Sequence, residues 1–215
     1  MQVDLQGPAG RLEALLESPA APPTFAAIVC HPHPQFGGTM HNHATHRIAR
    51  AARAHGGVTL RFNYRGVGRS GGAWDAGQGE AEDAAVALAA LAARHPALPR
   101  IAAGFSFGAW MAALAGAGDP GVLGFLLAGV ALRAPDLATL RDAARLRDLE
   151  RPVAIVQASG DEFASPDELR AAIAGSRGPR RVAVVEGATH LFTEDLPALE
   201  RAAGEGFTWL LGEGT

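Results

Sequence analysis

The segment whose residue types point most directly to chemistry is Gly104-Phe105-Ser106-Phe107-Gly108. The apolar run 100–103 leads into it and the small-residue run 109–115 follows it, so this G-x-S-x-G pattern falls between a predicted strand and a predicted helix. Glycines beside the serine permit a sharp turn, because a Cβ atom there would collide with the crossing elements. Such a turn, a nucleophile elbow, exposes the serine hydroxyl for attack.

A serine hydroxyl is a poor nucleophile at neutral pH, so it requires a general base and a group that orients the base. Asp161 follows the predicted strand 153–157, and His190 follows the predicted strand 181–185. His190 is also the only histidine after Ser106. Taken singly, the aspartate could be a turn or helix-cap residue and the histidine an incidental loop residue. Their joint placement after parallel strands predicts a catalytic triad of Ser106, Asp161 and His190.

An oxyanion formed beside the serine would need two backbone N–H donors. Phe107 is the first predicted donor, because its N–H lies at the start of the helix that follows the serine. The loop after the predicted strand 24–30 is the expected source of the second. Pro32 and Pro34 in that loop have no N–H, so the backbone N–H of His33 is the predicted second donor.

The elements that must position these residues alternate along the chain. Segment 3–17 is predicted to be a β-hairpin around Gly7-Pro8-Ala9-Gly10. Strands and helices then alternate, which predicts an α/β fold with a mostly parallel sheet covered on both faces. No repeat or second domain is visible, so residues 1–215 are predicted to form one domain. The predicted strands are 24–30, 58–63, 100–103, 122–132, 153–157 and 181–185, and the predicted helices are 42–54, 80–94, 109–115, 136–146, 165–174 and 196–211.

Three motifs carry a family resemblance. The stretches HPHPQFGGTM (31–40), RFNYRGVGRSGG (61–72) and GFSFGA (104–109) resemble the small, lid-less bacterial α/β-hydrolases, which are related to dienelactone hydrolases and small carboxylesterases. The resemblance covers essentially the whole chain. It implies the α/β-hydrolase fold, with a mostly parallel central sheet of about eight strands, helices on both faces and no separate lid domain.

The same resemblance implies hydrolysis of an ester or a similar acyl compound. It assigns the triad to Ser106, Asp161 and His190, in the chain order of α/β-hydrolases, and the oxyanion hole to the amides of His33 and Phe107. Dienelactone hydrolases generally have cysteine at the position of Ser106. The serine therefore favours an ordinary esterase.

The segment 133–151, where lids of this fold usually enter, is short and contains mostly one predicted helix. We therefore expect an open site that suits small esters with short acyl groups better than long lipids. The alternatives are a thioesterase, a peptidase, a carbon–carbon hydrolase with the same triad, or a non-catalytic binding protein on the same fold.

Five aromatic residues lie near the predicted site residues in the sequence. The sequence does not decide whether each of them packs in the core or in a loop, or instead lines an acyl-binding pocket: Phe36, Tyr64, Trp74, Phe105 and Phe163.

The run Gly66-Val67-Gly68-Arg69-Ser70-Gly71 matches the dinucleotide-binding pattern G-x-G-x-x-G. A pyrophosphate site needs a helix that opens at that point, but residues 72–77 intervene before any predicted helix. The pattern therefore favours a structural loop, and no cofactor is predicted.

A histidine-rich segment raises the possibility of zinc. His31 and His33 already belong to the strand-end loop, and no cysteine or carboxylate ligand lies nearby in sequence. His43 and His46 can share a partly exposed helix face. No metal is predicted for this segment, which also contains His41.

Composition excludes several classes of function. The 215 residues are 48% hydrophobic and 19% charged, with a formal net charge of -3, which does not favour nucleic acid or an anionic membrane as a partner. The chain contains no lysine, because all 19 residues in the Lys and Arg count are arginine. This excludes catalytic Ser–Lys dyads, Schiff-base chemistry and the phosphate-binding lysine of a P-loop. Cys30 is the only cysteine and is predicted to be a buried strand residue, with no internal disulfide.

Segment 1–6 has no basic region followed by an apolar core, and no run approaches the roughly 18 apolar residues of a membrane span. A cytoplasmic location is the expectation that follows. The expected partner is a small-molecule ester, and the expected assembly is a monomer or a small homo-oligomer.

Overall fold

The computed structural model of this protein describes residues 1–133 and 142–213. Eight strands form one sheet. Across the sheet the strands follow their order along the chain, except that the fourth strand lies between the second and the third. The first strand pairs antiparallel with the second and the second antiparallel with the fourth, while all other pairings are parallel. The strands are β1 (Gln2–Gly7), β2 (Gly10–Glu17), β3 (Phe25–Cys30), β4 (Gly57–Phe62), β5 (Arg100–Phe105), β6 (Val122–Ala128), β7 (Val153–Ala158) and β8 (Arg180–Val185).

Helices cover both faces of this sheet, as the alternation of elements predicts. The described helices are α1 (His43–Ala54), α2 (Gln78–Arg94), α3 (Phe107–Ala117), α4 (Ala143–Asp148), α5 (Pro166–Ala172) and α6 (Leu196–Glu213). Asn42 caps the first of these helices, because its Oδ1 accepts the N–H of Thr45 at 3.2 Å. The predicted α/β fold with a mostly parallel sheet of eight strands is confirmed.

Successive side chains along each strand point to opposite faces of the sheet, so the hydrophobic core has two layers. On β7, Val153 and Ile155 pack into the layer that contains α2 and α3, whereas Ala154 and Val156 pack into the layer that contains α1 and α6. Cys30 is fully buried in the first layer, as predicted, and burial raises the pKa of its thiol to about 12.

One predicted element differs from the structure, and most of another lies outside the described residues. The apolar run 122–132 is a strand only as far as Ala128, because Gly129 adopts a φ of 55° and turns the chain away. The rest of the run is a buried loop whose backbone bonds to side chains, since Val130 donates to Gln157 Oε1 at 2.9 Å. Most of the predicted helix 136–146 lies outside the described residues; α4 begins after the Asp142 cap.

The glycine-rich loop 63–77 is tied to the sheet rather than opening a helix. Ser70 accepts the backbone N–H of Glu13 at 3.0 Å and donates to the carbonyl of Asn63 at 2.8 Å. The Glu13 carboxylate accepts from the side chains of Asn63 and Arg69 at 2.9 Å each. These bonds give the G-x-G-x-x-G run a structural role, and α2 begins only at Gln78.

The loop is also anchored from its other side by a buried ion pair. Arg65 is 7% exposed and its guanidinium binds the fully buried carboxylate of Asp83 through Nε at 3.0 Å and Nη2 at 2.9 Å. Hydrogen bonding to Asp83 raises the pKa of Arg65. The anchored loop presents Trp74, whose ring packs against the rings of His33 and Phe107.

The turn from β5 to α3 brings three elements into close backbone contact. Ser106 has φ 56° and ψ −118°, a conformation that costs energy in a residue with a side chain. A Cβ atom at position 104 would lie 2.1 Å from the carbonyl oxygen of Gly108, and one at position 108 would lie 2.3 Å from that of Cys30. Glycine is therefore required on both sides of the serine.

We expect the substitution Gly104→Ala to lower the free energy of unfolding by about 3 kcal/mol, because the added methyl group meets backbone that cannot move aside. Urea denaturation measures this change. The control is Gly118→Ala at the end of α3, where φ is −82° and the nearest atom is 3.8 Å away. This control should leave stability unchanged or raise it by up to about 1 kcal/mol. Equal effects of both substitutions would contradict the packing argument.

Candidate active site

The structure brings the three predicted triad residues together. His190 Nε2 lies 2.8 Å from Ser106 Oγ, and His190 Nδ1 lies 2.8 Å from Asp161 Oδ2. Each side chain projects from the turn after its own strand: β5, β7 and β8. Because a carboxylate only accepts, the imidazole proton must be on Nδ1, which leaves Nε2 free to accept the serine proton.

The Asp161 carboxylate is buried and held by several donors. Its Oδ1 atom accepts the backbone N–H groups of Phe163 at 2.9 Å and Ala164 at 3.3 Å. Its Oδ2 atom accepts from Gln157 Nε2 at 3.0 Å as well as from His190. These bonds fix the carboxylate plane, so Oδ2 points at the imidazole.

Sequence reasoning missed Gln157. The available signal was an amide at the penultimate position of an otherwise apolar strand, VAIVQA. A buried amide without partners is costly, so such a residue marks a local set of hydrogen-bonding groups.

The imidazole of His190 lies between two aromatic rings. Phe105 stacks on it with a centroid distance of 5.4 Å, and Phe163 contacts it edge-on at 4.6 Å. The backbone N–H of His190 donates to Glu162 Oε2 at 3.3 Å. Ring packing and this backbone bond restrict the movement of the histidine, which is only 4% exposed.

The two residues predicted to supply oxyanion donors are both close to the serine. Phe107 is the first residue of α3, so its N–H has no acceptor within the helix and lies at the positive end of the helix dipole. His33 lines the same cavity as Ser106, and its ring lies 5.1 Å from the ring of Phe107. The carbonyl of His33 accepts the N–H groups of Phe36 and Gly38, which fixes the loop.

The side chain of His31 fixes this loop through two hydrogen bonds. Its Nδ1–H donates to the carbonyl of Pro32 at 2.7 Å, and its Nε2 accepts the backbone N–H of Tyr64 at 3.4 Å. Burial lowers the pKa of His31 to about 3, so the ring is neutral and both bonds are retained at physiological pH. Among residues 1–133 and 142–213, no three His, Cys, Asp or Glu side chains are grouped to hold a metal ion.

A cavity of about 430 Å³ opens beside Ser106. Three of the five flanking aromatic residues, Phe36, Phe105 and Phe163, contribute to its walls. The other two are not among the residues that line the cavity: Tyr64 is buried, and the ring of Trp74 packs against the ring of His33. Most of the wall is apolar, so the cavity has the surface to hold a small apolar group.

The mouth of this cavity carries two exposed apolar side chains. Phe36 is 82% exposed and Leu191 is 55% exposed. Glu162 supplies a carboxylate to the same cavity. Over the described part of the connection from β6 to β7, α4 is the only helix and no lid domain is present.

None of the helices in residues 1–133 and 142–213 has the length and apolar character needed to cross a bilayer.

Comparison with known proteins agrees with this architecture. A protein of Rickettsia prowazekii is 34% identical over 172 residues, which is 79% of this chain and 70% of that protein. An alpha-beta serine hydrolase homologue from Coxiella burnetii superposes with a TM-score of 0.86 at 31% identity, covering 95% of this chain and 96% of its own. A serine hydrolase without a lid from Xanthomonas campestris gives a TM-score of 0.85 at 28% identity, covering 97% and 94%.

The Hydrolase_4 family, described as serine aminopeptidase, S33, matches residues 26–145, which is more than half of the chain. The matched region includes the loop of His33, the serine turn and the strands between them. The chain therefore belongs to the Hydrolase_4 family and has the α/β-hydrolase fold of lid-less bacterial serine hydrolase homologues.

Proposed function

We propose that this protein is a serine hydrolase that cleaves small, short-acyl carboxylic esters through an acyl-enzyme intermediate. The observation that carries the proposal is the pair of 2.8 Å hydrogen bonds by which His190 joins Ser106 to Asp161. A serine, an imidazole and a carboxylate joined in this order form the arrangement that converts a hydroxyl into a nucleophile.

In the first half of the reaction, Ser106 Oγ attacks the ester carbonyl carbon while His190 Nε2 takes the hydroxyl proton. Asp161 keeps the imidazole in the required tautomer and stabilises the imidazolium. The carbonyl oxygen becomes an oxyanion, which the N–H groups of His33 and Phe107 stabilise. The carbon–oxygen bond to the alcohol then breaks, and the imidazolium gives its proton to the leaving alkoxide.

In the second half, a water molecule attacks the acyl group on Ser106. His190 Nε2 takes a proton from this water, and a second tetrahedral oxyanion forms at the same two N–H donors. Collapse of this intermediate releases the carboxylic acid. The proton on His190 returns to the Ser106 oxygen, so the enzyme regains its starting state.

The cavity supports the restriction to short acyl groups. A volume of about 430 Å³ is near the lower end of the range for small-molecule pockets. Its apolar walls suit a short hydrocarbon chain, and Phe36 and Leu191 at its mouth extend the apolar surface only a little further. Long acyl chains would project into solvent, where they gain little binding energy.

Peptide hydrolysis is the second candidate, and two observations favour it. The family description names an aminopeptidase, and the cavity contains the Glu162 carboxylate, which has the charge to bind an ammonium group. Comparing kcat/KM for an alanine p-nitroanilide with that for p-nitrophenyl butyrate separates the two activities. Faster cleavage of the anilide would replace esterase with aminopeptidase as the proposed activity.

Removing a triad residue tests the proposal itself. We expect Ser106→Ala, His190→Ala and Asp161→Asn each to lower kcat/KM for p-nitrophenyl butyrate by about four orders of magnitude. The matched control is Ser176→Ala, since Ser176 Oγ donates to the carbonyl of Ile173 in its own loop. It should retain wild-type activity. Full activity in Ser106→Ala would show that another group performs the hydrolysis.

The acyl-chain preference is a separate expectation. Across p-nitrophenyl esters from acetate to palmitate, kcat/KM should be highest at acetate to hexanoate and fall for longer chains, because the cavity fills and the remaining chain stays in water. Initial rates below the micelle-forming concentration of each ester measure this preference. A maximum at palmitate would contradict the proposed substrate class.

A further inference from the structure

We propose that Gln157 is a positioning residue of the catalytic triad: its side-chain amide holds Asp161 against His190 and moderates the charge on the carboxylate. This inference rests on the proposed function, because it concerns the same triad. Gln157 lines no part of the cavity, so it acts through Asp161 and not on the substrate.

The location of Gln157 singles it out. It is fully buried on β7, on the face that also carries Val153 and Ile155. An apolar side chain at this position would continue the hydrophobic layer. An amide is tolerated there only when its donors and acceptor are satisfied, because unpaired buried polar groups are costly.

All of its bonding groups are used. Oε1 accepts the N–H of Val130 at 2.9 Å, while Nε2 donates to the carbonyl of Ala164 at 2.8 Å and to Asp161 Oδ2 at 3.0 Å. The opposite orientation of the amide would place Oε1 against a carbonyl and a carboxylate, and would place an N–H against the Val130 N–H. Only one orientation is therefore compatible with its surroundings.

These bonds join the two loops that form the site. Val130 belongs to the loop after β6, and Ala164 belongs to the loop after β7. The neighbouring residues Ala131 and Phe163 line the cavity. The Gln157 side chain thus joins these loops, beside the backbone bonds from Leu132 and Arg133 to the Phe163 carbonyl. It is also the side chain that connects them to the carboxylate.

The bond to Oδ2 also has an electrostatic consequence. Oδ2 is the oxygen that accepts from His190 Nδ1, so the two donors share its charge. Without the Gln157 donor, Oδ2 carries more negative charge toward the imidazole and favours the imidazolium. The Gln157 donor therefore affects how readily the imidazole acts as a base toward Ser106.

The charged and titratable groups bonded around this histidine are few. Glu162 accepts its backbone N–H, and Asp161 accepts its Nδ1–H. Arg133 donates to the carbonyl of Glu162 and pairs with Glu168. Of these groups, only Asp161 is bonded to Gln157, so a change in the pH profile reports on the Gln157–Asp161 bond.

The experiment measures the rate constant for labelling by a fluorophosphonate as a function of pH. This probe reacts with an activated serine whatever the natural substrate is. Gln157→Met and Gln157→Leu remove the donor with two differently shaped apolar side chains. We expect the labelling rate at neutral pH to fall about tenfold, and the acid limb of the profile to move to higher pH.

The matched control is Ser159→Ala. Ser159 also joins the β7 loop to the β8 loop, by accepting the N–H of Gly187 at 2.9 Å, but it has no bond to the triad. It should change thermal stability without moving the acid limb.

The outcomes separate the two proposals. An unlabelled wild-type protein would contradict the proposed function. A labelled wild type, together with folded Gln157 variants whose acid limb matches that of Ser159→Ala, would overturn the positioning role. Failure of both Gln157 variants to fold, while Ser159→Ala folds, would also overturn it in favour of a purely structural role.

Discussion

The close backbone packing around Ser106 is the constraint on which the rest of the site depends. Gly104 and Gly108 allow β5, α3 and the end of β3 to approach so nearly that a single Cβ atom would not fit. This contact holds Ser106 at a φ of 56°. Its backbone N–H is bonded to the carbonyl of Ala128 on β6, so the strained turn is also fixed to the neighbouring strand.

The proposed mechanism also needs the base of this serine, His190, to be held rigidly. The structure achieves this with buried polar groups at the carboxyl ends of β7 and β8. The His190 ring is held by two aromatic side chains and by Asp161, and Asp161 is held in turn by two backbone amides and Gln157. Rigid placement of this kind reduces the reorganisation needed when charge develops during a reaction.

The side of the site that carries His33 depends on a different set of contacts. His31 fixes the loop by bonding Pro32 and Tyr64, while the Arg65–Asp83 pair anchors the neighbouring loop that carries Trp74. The Trp74 ring then supports His33 and Phe107 together. Packing and one buried ion pair therefore determine where the backbone of His33 and Phe107 lies.

The serine turn and its two partners could be predicted from the sequence because each depends on local pattern. A glycine-flanked serine sits between a strand and a helix, and Asp161 and His190 each follow a recognisable apolar strand. Gln157 and His31 could not be assigned in this way. Their partners include Val130, which is 27 residues away, and Tyr64, which is 33 residues away, and only the folded sheet brings these groups together.

The end of β6 was mispredicted for a related reason. The run 122–132 is apolar throughout, and its hydropathy does not change where the strand ends. The strand stops because Gly129 takes a positive φ. The backbone N–H of Val130 then bonds to the side chain of Gln157 instead of to the backbone of a neighbouring strand. Tertiary hydrogen bonds, which local composition does not encode, decide that boundary.

Trapping the acyl-enzyme tests the proposed hydrolase mechanism most directly. The protein is mixed with p-nitrophenyl acetate, quenched in acid within the first turnover, digested and mapped by mass spectrometry. We expect an acetyl group on the peptide that contains Ser106, formed at the rate at which p-nitrophenol first appears. Steady release of p-nitrophenol with Ser106 never acetylated would contradict it.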